Sequence, residues 1–137
     1  MWDIGSKPLG KGAYGTVYKA TLKKDPNQKA AIKIIDKRLL DKHSRESLKI
    51  EIEILQKLSH PNICMLLELY DEPNFIYMVM ELLPGGELYD KITSFTNHLT
   101  EKETADIVHK IIKALVHCHD LNIIHRDLKP ENIVFDA

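Results

Sequence analysis

Three segments of the chain carry side chains whose types and order suit phosphate chemistry. Residues 10–15 read G-K-G-A-Y-G, a G-x-G-x-x-G loop whose backbone N–H groups can approach phosphates without obstruction by side chains. Lys33 follows in an A-A-I-K run, and Asp127 lies in residues 125–132, which read H-R-D-L-K-P-E-N. The glycine loop and the lysine are groups that can hold phosphates, and residues 125–132 are the strongest single motif in the chain.

Three other structures can contain a glycine-rich segment of this kind. A dinucleotide-binding fold would open a helix after the loop, with an acid about 20 residues further on. Asp36 lies near that distance, but residues 16–22 are rich in β-branched and aromatic side chains, which favour a strand. The phosphate loop G-x-x-x-x-G-K-[ST] fails because Thr16 stands where its lysine belongs. A plain hairpin turn stays open on the loop alone.

Lys33 requires an explanation because it interrupts an apolar strand. Alternation along residues 30–35 places Ala31 and Lys33 on one face, so that a small residue can lie against adenine while the ammonium reaches phosphates. A lysine removed from water needs a counter-charge, and Glu51 in the following helix is the candidate. The alternative is a surface lysine on an edge strand.

Hydrophobic periodicity predicts five strands and one helix in the first part of the chain. A turn is expected at Asp25-Pro26-Asn27, and the helix is predicted from a stripe formed by Leu48, Ile52 and Leu55. The predicted elements have the order β-β-β-α-β-β: a strand around residue 9, then residues 16–22, 30–35, 44–58, 63–70 and 75–81.

The Leu-Pro-Gly-Gly run at residues 83–86 breaks this pattern and is the predicted hinge between two packing units. Helices follow it. Thr100 and Glu103 have the spacing of a capping box, at the start of a helix that runs to His119. We expect apolar surface of this helix, residues 104–119, to be exposed in the chain on its own.

Composition bounds the class of protein. The 137 residues are 44% hydrophobic and 28% charged with a formal net charge of −1, which disfavours a disordered tail and a basic nucleic-acid binder. Two cysteines are too few for a disulfide scaffold, and this predicts an intracellular, cytoplasmic protein. No apolar run approaches the roughly 18 residues that a membrane helix needs.

Residues 125–132 match the kinase catalytic loop H-R-D-L-x-x-x-N without a mismatch, and Val17 follows the glycine loop at the kinase spacing. On these motifs the chain resembles the eukaryotic protein kinases of the Ser/Thr type, most closely the calcium/calmodulin-dependent and calcium-dependent group. The resemblance implies an α+β fold. Residues 1–83 would be the ATP-binding small lobe and hinge, a five-stranded antiparallel sheet with one helix. Residues 84–137 would begin a helical large lobe and run through the catalytic loop.

The resemblance also implies an ATP site. The glycines would cover the phosphates, Lys33 would hold the α- and β-phosphates, and Glu51 would brace Lys33. The backbone of Glu81 and Leu83 would hydrogen-bond adenine, with Met80 gating the space behind. The implied ATP-binding residues are Leu9, Gly10, Gly12, Gly15, Val17, Ala31, Lys33, Glu51, Met80, Glu81, Leu83, Glu87, Leu88 and Val134.

The implied catalytic residues are Asp127, Lys129 and Asn132. Asp127 would accept the proton of the substrate hydroxyl, Lys129 would lie near the transferred phosphate and marks a Ser/Thr acceptor, and Asn132 would bind Mg²⁺. The second metal ligand, the Asp of Asp-Phe-Gly, does not occur in the 137 residues. Arg126 would mark an activation segment held by phosphate. Three members of a stack linking the lobes would be Leu55, Leu66 and His125.

The expected function is therefore ATP-dependent phosphorylation of protein Ser/Thr hydroxyls. Glu87 and Glu131 would favour substrates with a basic residue upstream of the acceptor. Calcium control would depend on a region outside this chain. Because the chain ends at Ala137 without Asp-Phe-Gly, we expect the 137 residues alone to be inactive. The alternative is a short, noncatalytic kinase-like module that binds a nucleotide or a protein.

Overall fold

The computed structural model describes residues 1–96, 98–125 and 127–136. The strands are β1 (Trp2–Lys11), β2 (Gly15–Leu22), β3 (Asp25–Asp36), β4 (Leu66–Asp71) and β5 (Phe75–Glu81). The α-helices are α1 (Lys42–Lys57), α2 (Leu88–Thr93) and α3 (Glu101–Asp120). Single 3-10 turns lie at Lys37–Leu39 and Pro130–Asn132.

The chain divides into two compact units. Unit 1 consists of Met1–Lys57 and Met65–Leu82, and unit 2 of Leu58–Cys64 and Leu83–Ala137. The boundary between Leu82 and Leu83 falls at the start of the Leu-Pro-Gly-Gly run. The segment Leu58–Cys64 groups with unit 2, where the N–H of Ser59 donates to Nε2 of His117 at 3.4 Å. The functional division at residue 83 stays a prediction.

Unit 1 is built on a five-stranded antiparallel sheet with the strand order β1-β2-β3-β5-β4, and α1 connects β3 to β4. The expected kinase-like architecture is thus confirmed. Since β3 lies between β2 and β5, Lys33 is not on an edge strand, and the edge-strand alternative is wrong. The interior strand β5 is apolar on both faces, with Ile76, Met78 and Val79 all buried.

Each face of the sheet has its own core. On one face, α1 adds two buried side chains to three from the sheet, and this cluster A consists of Ile35, Leu48, Ile52, Ile76 and Met78. On the other face, cluster B consists of Ala20, Ala30, Ile32 and Val79, with Trp2 packed against it. The stripe predicted for α1 is confirmed, because Leu55 also packs against cluster A.

Two predicted boundaries in unit 1 are wrong. The turn after β2 lies at Lys23 and Lys24, because Leu22 pairs with Asp25 and the next pair joins Thr21 to Lys29. The expected turn residues instead form a bulge at the start of β3, where the Asp25 carboxylate accepts the N–H of Asn27 at 3.0 Å. Strand β4 begins at Leu66, three residues later than predicted.

In unit 2, α3 has well-defined signals at both ends. The predicted capping box is present: the Thr100 hydroxyl accepts the Glu103 N–H at 3.2 Å, and the Glu103 carboxylate accepts the Thr100 N–H at 2.8 Å. These bonds hold the pKa of Glu103 below its usual value. At the other end, the N–H of Asn122 donates to His119 and that of Ile123 to Cys118, a Schellman motif.

The Schellman motif requires a left-handed residue, and Asn122 supplies it with φ 58°. This bend follows the last helical residue, Asp120, and Asn122 lies five residues before Asp127. On the helix itself, Val108, Ile112 and Val116 form a half-exposed apolar stripe, as the sequence predicts. Within the described ranges, none of the helices has both the length and the apolar character that a membrane span requires.

Candidate active site

The glycine loop is a tight connection between β1 and β2. The Gly12 N–H donates to the Gly15 carbonyl at 2.7 Å and closes the tip of the loop. A Cβ at Gly15 would lie 2.1 Å from the Ile34 carbonyl oxygen, so the close approach of β3 requires glycine there. A Cβ at Gly10 would meet no atom within 4 Å, so packing does not account for this glycine.

Lys33 lies directly beneath the loop. It pairs with Val17 on β2 and with Met78 on β5, and its side chain is half-buried. A Cβ at Gly12 would lie 3.0 Å from both Cε and Nζ of Lys33. Ala31 shares this face of β3 and pairs with Met80, so the predicted alternation of Ala31 and Lys33 is confirmed.

Tyr14, at the tip of the loop, is a residue that sequence reasoning missed. Its ring packs against cluster A, and the Lys33 Nζ lies 5.9 Å from the ring centroid, within reach of a cation–π attraction. The available signal was an aromatic residue between two glycines of a phosphate-type loop.

Glu51 is exposed on α1 and does not pair with Lys33 in the structure. In unit 1, the ion pairs among the described residues join Lys37 to Asp71 and Arg38 to Asp36, both at the periphery of the sheet. The predicted brace between Glu51 and Lys33 is not formed in this conformation, and its role stays a prediction.

The residues expected near adenine lie around the end of β5. Met80 packs against cluster A together with Leu55 and Leu66, two of the three predicted stack members. Glu81 ends the strand: its N–H donates to the Met65 carbonyl at 3.0 Å, and its carboxylate accepts the Met65 N–H at 3.3 Å. Of the remaining predicted contacts, Leu9 is exposed on β1 and Leu83 is the first residue of unit 2's second segment.

In unit 2, the start of α2 is paired with the chain that follows the catalytic loop. Glu87 and Val134 form an isolated β-bridge, and the Leu88 N–H donates to the Ile133 carbonyl at 2.8 Å. Gly85 and Gly86 make two further backbone bonds to Phe135, at 2.8 and 2.9 Å. The structure thus brings together Glu87, Leu88 and Val134, which are far apart in sequence.

The three predicted catalytic residues also meet in unit 2. The Asn132 amide donates to the Asp127 carbonyl at 2.7 Å and to Asp127 Oδ2 at 3.2 Å. The Lys129 Nζ lies 3.4 Å from the same Oδ2. The Asp127 N–H donates to Nδ1 of His125 at 3.1 Å, and the Asp127 side chain is 71% exposed. The predicted role of Arg126 lies outside the described residues.

This grouping suits proton transfer beside a metal-bound phosphate. Both contacts to the Asp127 carboxylate engage Oδ2, so among the described residues Oδ1 stays available to accept a proton. Asn132 uses its amide nitrogen toward Asp127, which leaves its amide oxygen as a hard ligand of the kind that Mg²⁺ prefers. An amine, a carboxylate and an amide oxygen within one segment therefore fit phosphoryl transfer.

Comparison with known proteins agrees with the geometry. The family model described as "Protein kinase domain" matches residues 5–137, nearly the whole chain. The chain belongs to the protein kinase family. The resemblance in the glycine loop, in A-A-I-K and in the catalytic loop thus extends along the sequence of the kinase domain.

Named kinases from several organisms are similar to the chain. It is 48% identical over 129 residues to myosin light chain kinase A of Dictyostelium discoideum, covering 94% of this chain and 43% of that kinase. It is 43% identical over 127 residues to calcium/calmodulin-dependent protein kinase type 1 of Macrobrachium nipponense, covering 93% and 36%. It is 46% identical over 135 residues to calcium-dependent protein kinase 5 of Plasmodium falciparum (isolate 3D7), covering 98% and 23%. The chain thus spans less than half the length of these kinases.

Proposed function

We propose that the protein is an ATP-dependent serine/threonine protein kinase, which transfers the γ-phosphate of ATP to Ser or Thr hydroxyls of other proteins. The observation that carries this proposal is the grouping of Asp127, Lys129 and Asn132 in one short segment of unit 2. The glycine loop over Lys33 in unit 1 supports the nucleotide part of the reaction.

Asp127 is the proposed general base. The Asn132 amide and the Lys129 ammonium hold Oδ2, which orients the carboxylate and leaves Oδ1 to take the proton of the acceptor hydroxyl. A positioned base of this kind contributes about 100- to 10,000-fold to a rate. Lys129, 3.4 Å from Asp127, is close enough to the transfer site to stabilise negative charge on the transferred phosphate.

Unit 1 supplies the proposed phosphate grip. Lys33 would bind the α- and β-phosphates, and the backbone N–H groups of residues 10–15 would cover them. Gly12 fits this role because even a single Cβ there would occupy the space next to the Lys33 ammonium. Val17 on β2 and Ala31 on β3 offer small apolar side chains, which would pack against the adenine ring.

Magnesium bound together with ATP would neutralise negative charge on the phosphates. Within this chain, Asn132 is the residue that would hold it, through the amide oxygen that Asp127 leaves free. Glu51, the hinge backbone of Glu81 and Leu83, and the group Glu87, Leu88 and Val134 complete the proposed nucleotide contacts.

We propose further that the kinase prefers a basic residue upstream of the acceptor. Glu87 begins α2 and Glu131 lies in the 3-10 turn Pro130–Asn132, which packs against α2. Both carboxylates are exposed, and neither has an ion-pair partner in the described part of the chain. Two unpaired carboxylates in neighbouring elements favour an arginine or lysine of a substrate peptide.

Calcium control is proposed on the similarity to kinases whose names contain "calcium-dependent" or "calcium/calmodulin-dependent". It would act through a region outside the 137 residues. A measurement of phosphotransfer with calcium and with a chelator tests it, and equal rates in both would remove this part of the proposal.

The experiment that tests the main proposal is phosphotransfer by the protein expressed from its complete coding sequence. Matched peptides would carry Ser, Thr or Tyr as the acceptor and Arg or Ala upstream. We expect labelled phosphate on Ser and Thr but not on Tyr, and none with Lys33→Met, whose fold is checked by circular dichroism. ATP binding without transfer to any peptide would favour the alternative, a noncatalytic nucleotide-binding module.

The basic preference is tested by Glu87→Gln and Glu131→Gln in the same assay. We expect each variant to lose most of its preference for the Arg peptide over the Ala peptide, because KM for the Arg peptide rises. Glu72→Gln, in the turn between β4 and β5 of unit 1, is the matched control and should keep the preference. An unchanged preference in both test variants contradicts the assignment.

A further inference from the structure

Lys33 and the glycine loop lie close together in unit 1. A Cβ built on Gly12 would lie 3.0 Å from the Lys33 Nζ, so a methyl group on this glycine would touch the ammonium. A phosphate oxygen bound to a lysine takes a position roughly 2.7–2.9 Å from Nζ, with the rest of the phosphate beyond it. A phosphate therefore enters between Lys33 and the loop only when the loop or the end of the Lys33 side chain moves.

Tyr14 connects the tip of the loop to the core of unit 1. It lies at the loop tip, between Gly12 and Gly15, and its half-buried ring packs against cluster A, to which α1 contributes Leu48 and Ile52. The same ring lies 5.9 Å from the Lys33 ammonium. One side chain thus anchors the loop to the core and contacts the cation that the phosphates need.

We propose that Tyr14 competes with the phosphates of ATP for Lys33, so that nucleotide binding requires withdrawal of the Tyr14 ring from cluster A. This inference rests on the proposed function and adds to it a residue that sets the affinity for phosphates. With the ring in place, Lys33 faces Tyr14 and has no ion pair with Glu51. With the ring withdrawn, Lys33 is free to bind both Glu51 and the phosphates.

The competition has a thermodynamic consequence that depends on the ligand. A ligand that binds only the state with the ring withdrawn has its apparent affinity reduced by the fraction of molecules in that state. ATP carries this penalty because its phosphates need Lys33. Adenosine does not carry it, because it has no phosphate to place beneath the loop. Removal of the Tyr14 ring should therefore strengthen the binding of ATP and leave that of adenosine unchanged.

The test is calorimetric titration of the protein, expressed from its complete coding sequence, with MgATP and with adenosine. For Tyr14→Leu, which keeps apolar bulk but removes the aromatic face, we expect ATP to bind about threefold to tenfold more tightly. Tyr14→Phe keeps the ring and should show no gain. The matched control is Tyr18→Leu, because Tyr18 pairs with Ile32 of cluster B on the opposite face of the same sheet.

A second readout reports the contact without any nucleotide. In protein with ¹³C at lysine Cε, the Lys33 signal should show a ring-current shift in the wild type and in Tyr14→Phe, and lose it in Tyr14→Leu. Loss of the shift together with tighter ATP binding supports the competition, provided that circular dichroism shows a folded variant. Tyr14→Met serves as a second variant if Tyr14→Leu does not fold.

The outcomes separate the inference from the function on which it rests. Equal or weaker ATP binding by Tyr14→Leu, with wild-type binding intact, overturns the competition but leaves the kinase proposal standing. An equal gain for adenosine overturns it as well, because the effect would not depend on phosphates. Absence of ATP binding in the wild type and in every variant overturns the proposed function, and the competition with it.

Discussion

The two units hold their functional residues by different means. In unit 1, Lys33 and Ala31 occupy a strand in the middle of a five-stranded sheet, and their neighbours are set by strand register. In unit 2, Asp127 and Asn132 lie in an exposed segment that is held by individual hydrogen bonds to the backbone and between side chains. Nine of the eleven buried apolar residues among those described belong to unit 1, so the core supports the proposed nucleotide-binding residues far more than the proposed catalytic ones.

Because of this difference, we expect substitutions in the two units to affect stability and reaction rate to different degrees. A buried side chain of unit 1 can be moved only by disturbing a packed core, which costs several kcal/mol. A side chain in residues 125–132 can be moved by losing one hydrogen bond, which costs about 1 kcal/mol. Substitutions of buried residues in unit 1 should therefore act mainly through folding, and those in residues 125–132 mainly through rate.

The largest effect is expected for Leu48→Ala, which would leave a cavity in cluster A. Leu48 is 2% exposed, and loss of a leucine side chain at such a site destabilises a protein by about 2–5 kcal/mol. The measurement is chemical denaturation followed by circular dichroism. Ile50→Ala is the matched control on the same helix, where Ile50 is 58% exposed, and should cost about 1 kcal/mol or less. Equal losses would show that α1 does not pack as described.

The next effect is expected for Gly15→Ala. The added Cβ would lie 2.1 Å from a backbone oxygen of β3, so the strands must separate, and we expect a loss of about 3 kcal/mol in the free energy of unfolding. Gly10→Ala in the same loop should change that free energy by less than about 1 kcal/mol, since a Cβ there meets no atom within 4 Å. A tolerated Gly15→Ala would contradict the register of β2 and β3.

A smaller effect is expected at Asn122, the left-handed residue after α3. Asn122→Ala should destabilise the protein by about 1–2 kcal/mol, because a Cβ without a local hydrogen-bonding group is strained at φ 58°. Asn122→Gly should be neutral or slightly stabilising, since glycine adopts this conformation freely. Thermal unfolding measures both variants, and the reverse order of stability would refute the Schellman ending of α3.

The smallest effect concerns the dependence of unit 2 on pH. Bonds from Thr100 lower the pKa of Glu103 below 4.5, so the ionised carboxylate contributes stability at higher pH. That contribution is fully present above the unfolded pKa and is lost as the pH falls through the lower, folded value. The protection factors of amides in the first turn of α3, which correct the measured exchange for its intrinsic pH dependence, should therefore fall as the pH drops through the folded pKa of Glu103, and Glu103→Gln should weaken this pH dependence. Glu101→Gln, in the same turn but outside the capping box, should retain it.

The fold was predictable where a local pattern decides it. Strand β5 matches its predicted range because its apolar run is bounded by a turn and by Glu81. The capping box was also predictable, since it depends on two residues three apart. The turn after β2 was not: Asp-Pro-Asn has strong turn chemistry, but strand register assigned the turn to two lysines and the Asp-Pro-Asn run to a bulge.

The site was predictable as a set of residues but not as a set of contacts. The motif spacing named Lys33, Asp127, Lys129 and Asn132, and the structure brings the last three together. The contact of Lys33 with Tyr14 was missed because it depends on how the loop folds against cluster A. A long-range bond such as that from Trp2 to Glu68, at 3.2 Å and 66 residues apart, has no local signal at all.

The most direct test of the central claim is the kinetics of Asp127→Asn with a Ser peptide and MgATP. Because Asp127 is exposed and lies outside the core of unit 1, we expect unchanged thermal stability and a KM for ATP within about threefold of the wild-type value. We expect kcat to fall by about 100-fold or more, because the amide cannot accept the proton. A kcat near the wild-type value would contradict the assignment of Asp127 as the catalytic base and, with it, the account of unit 2 as the catalytic part.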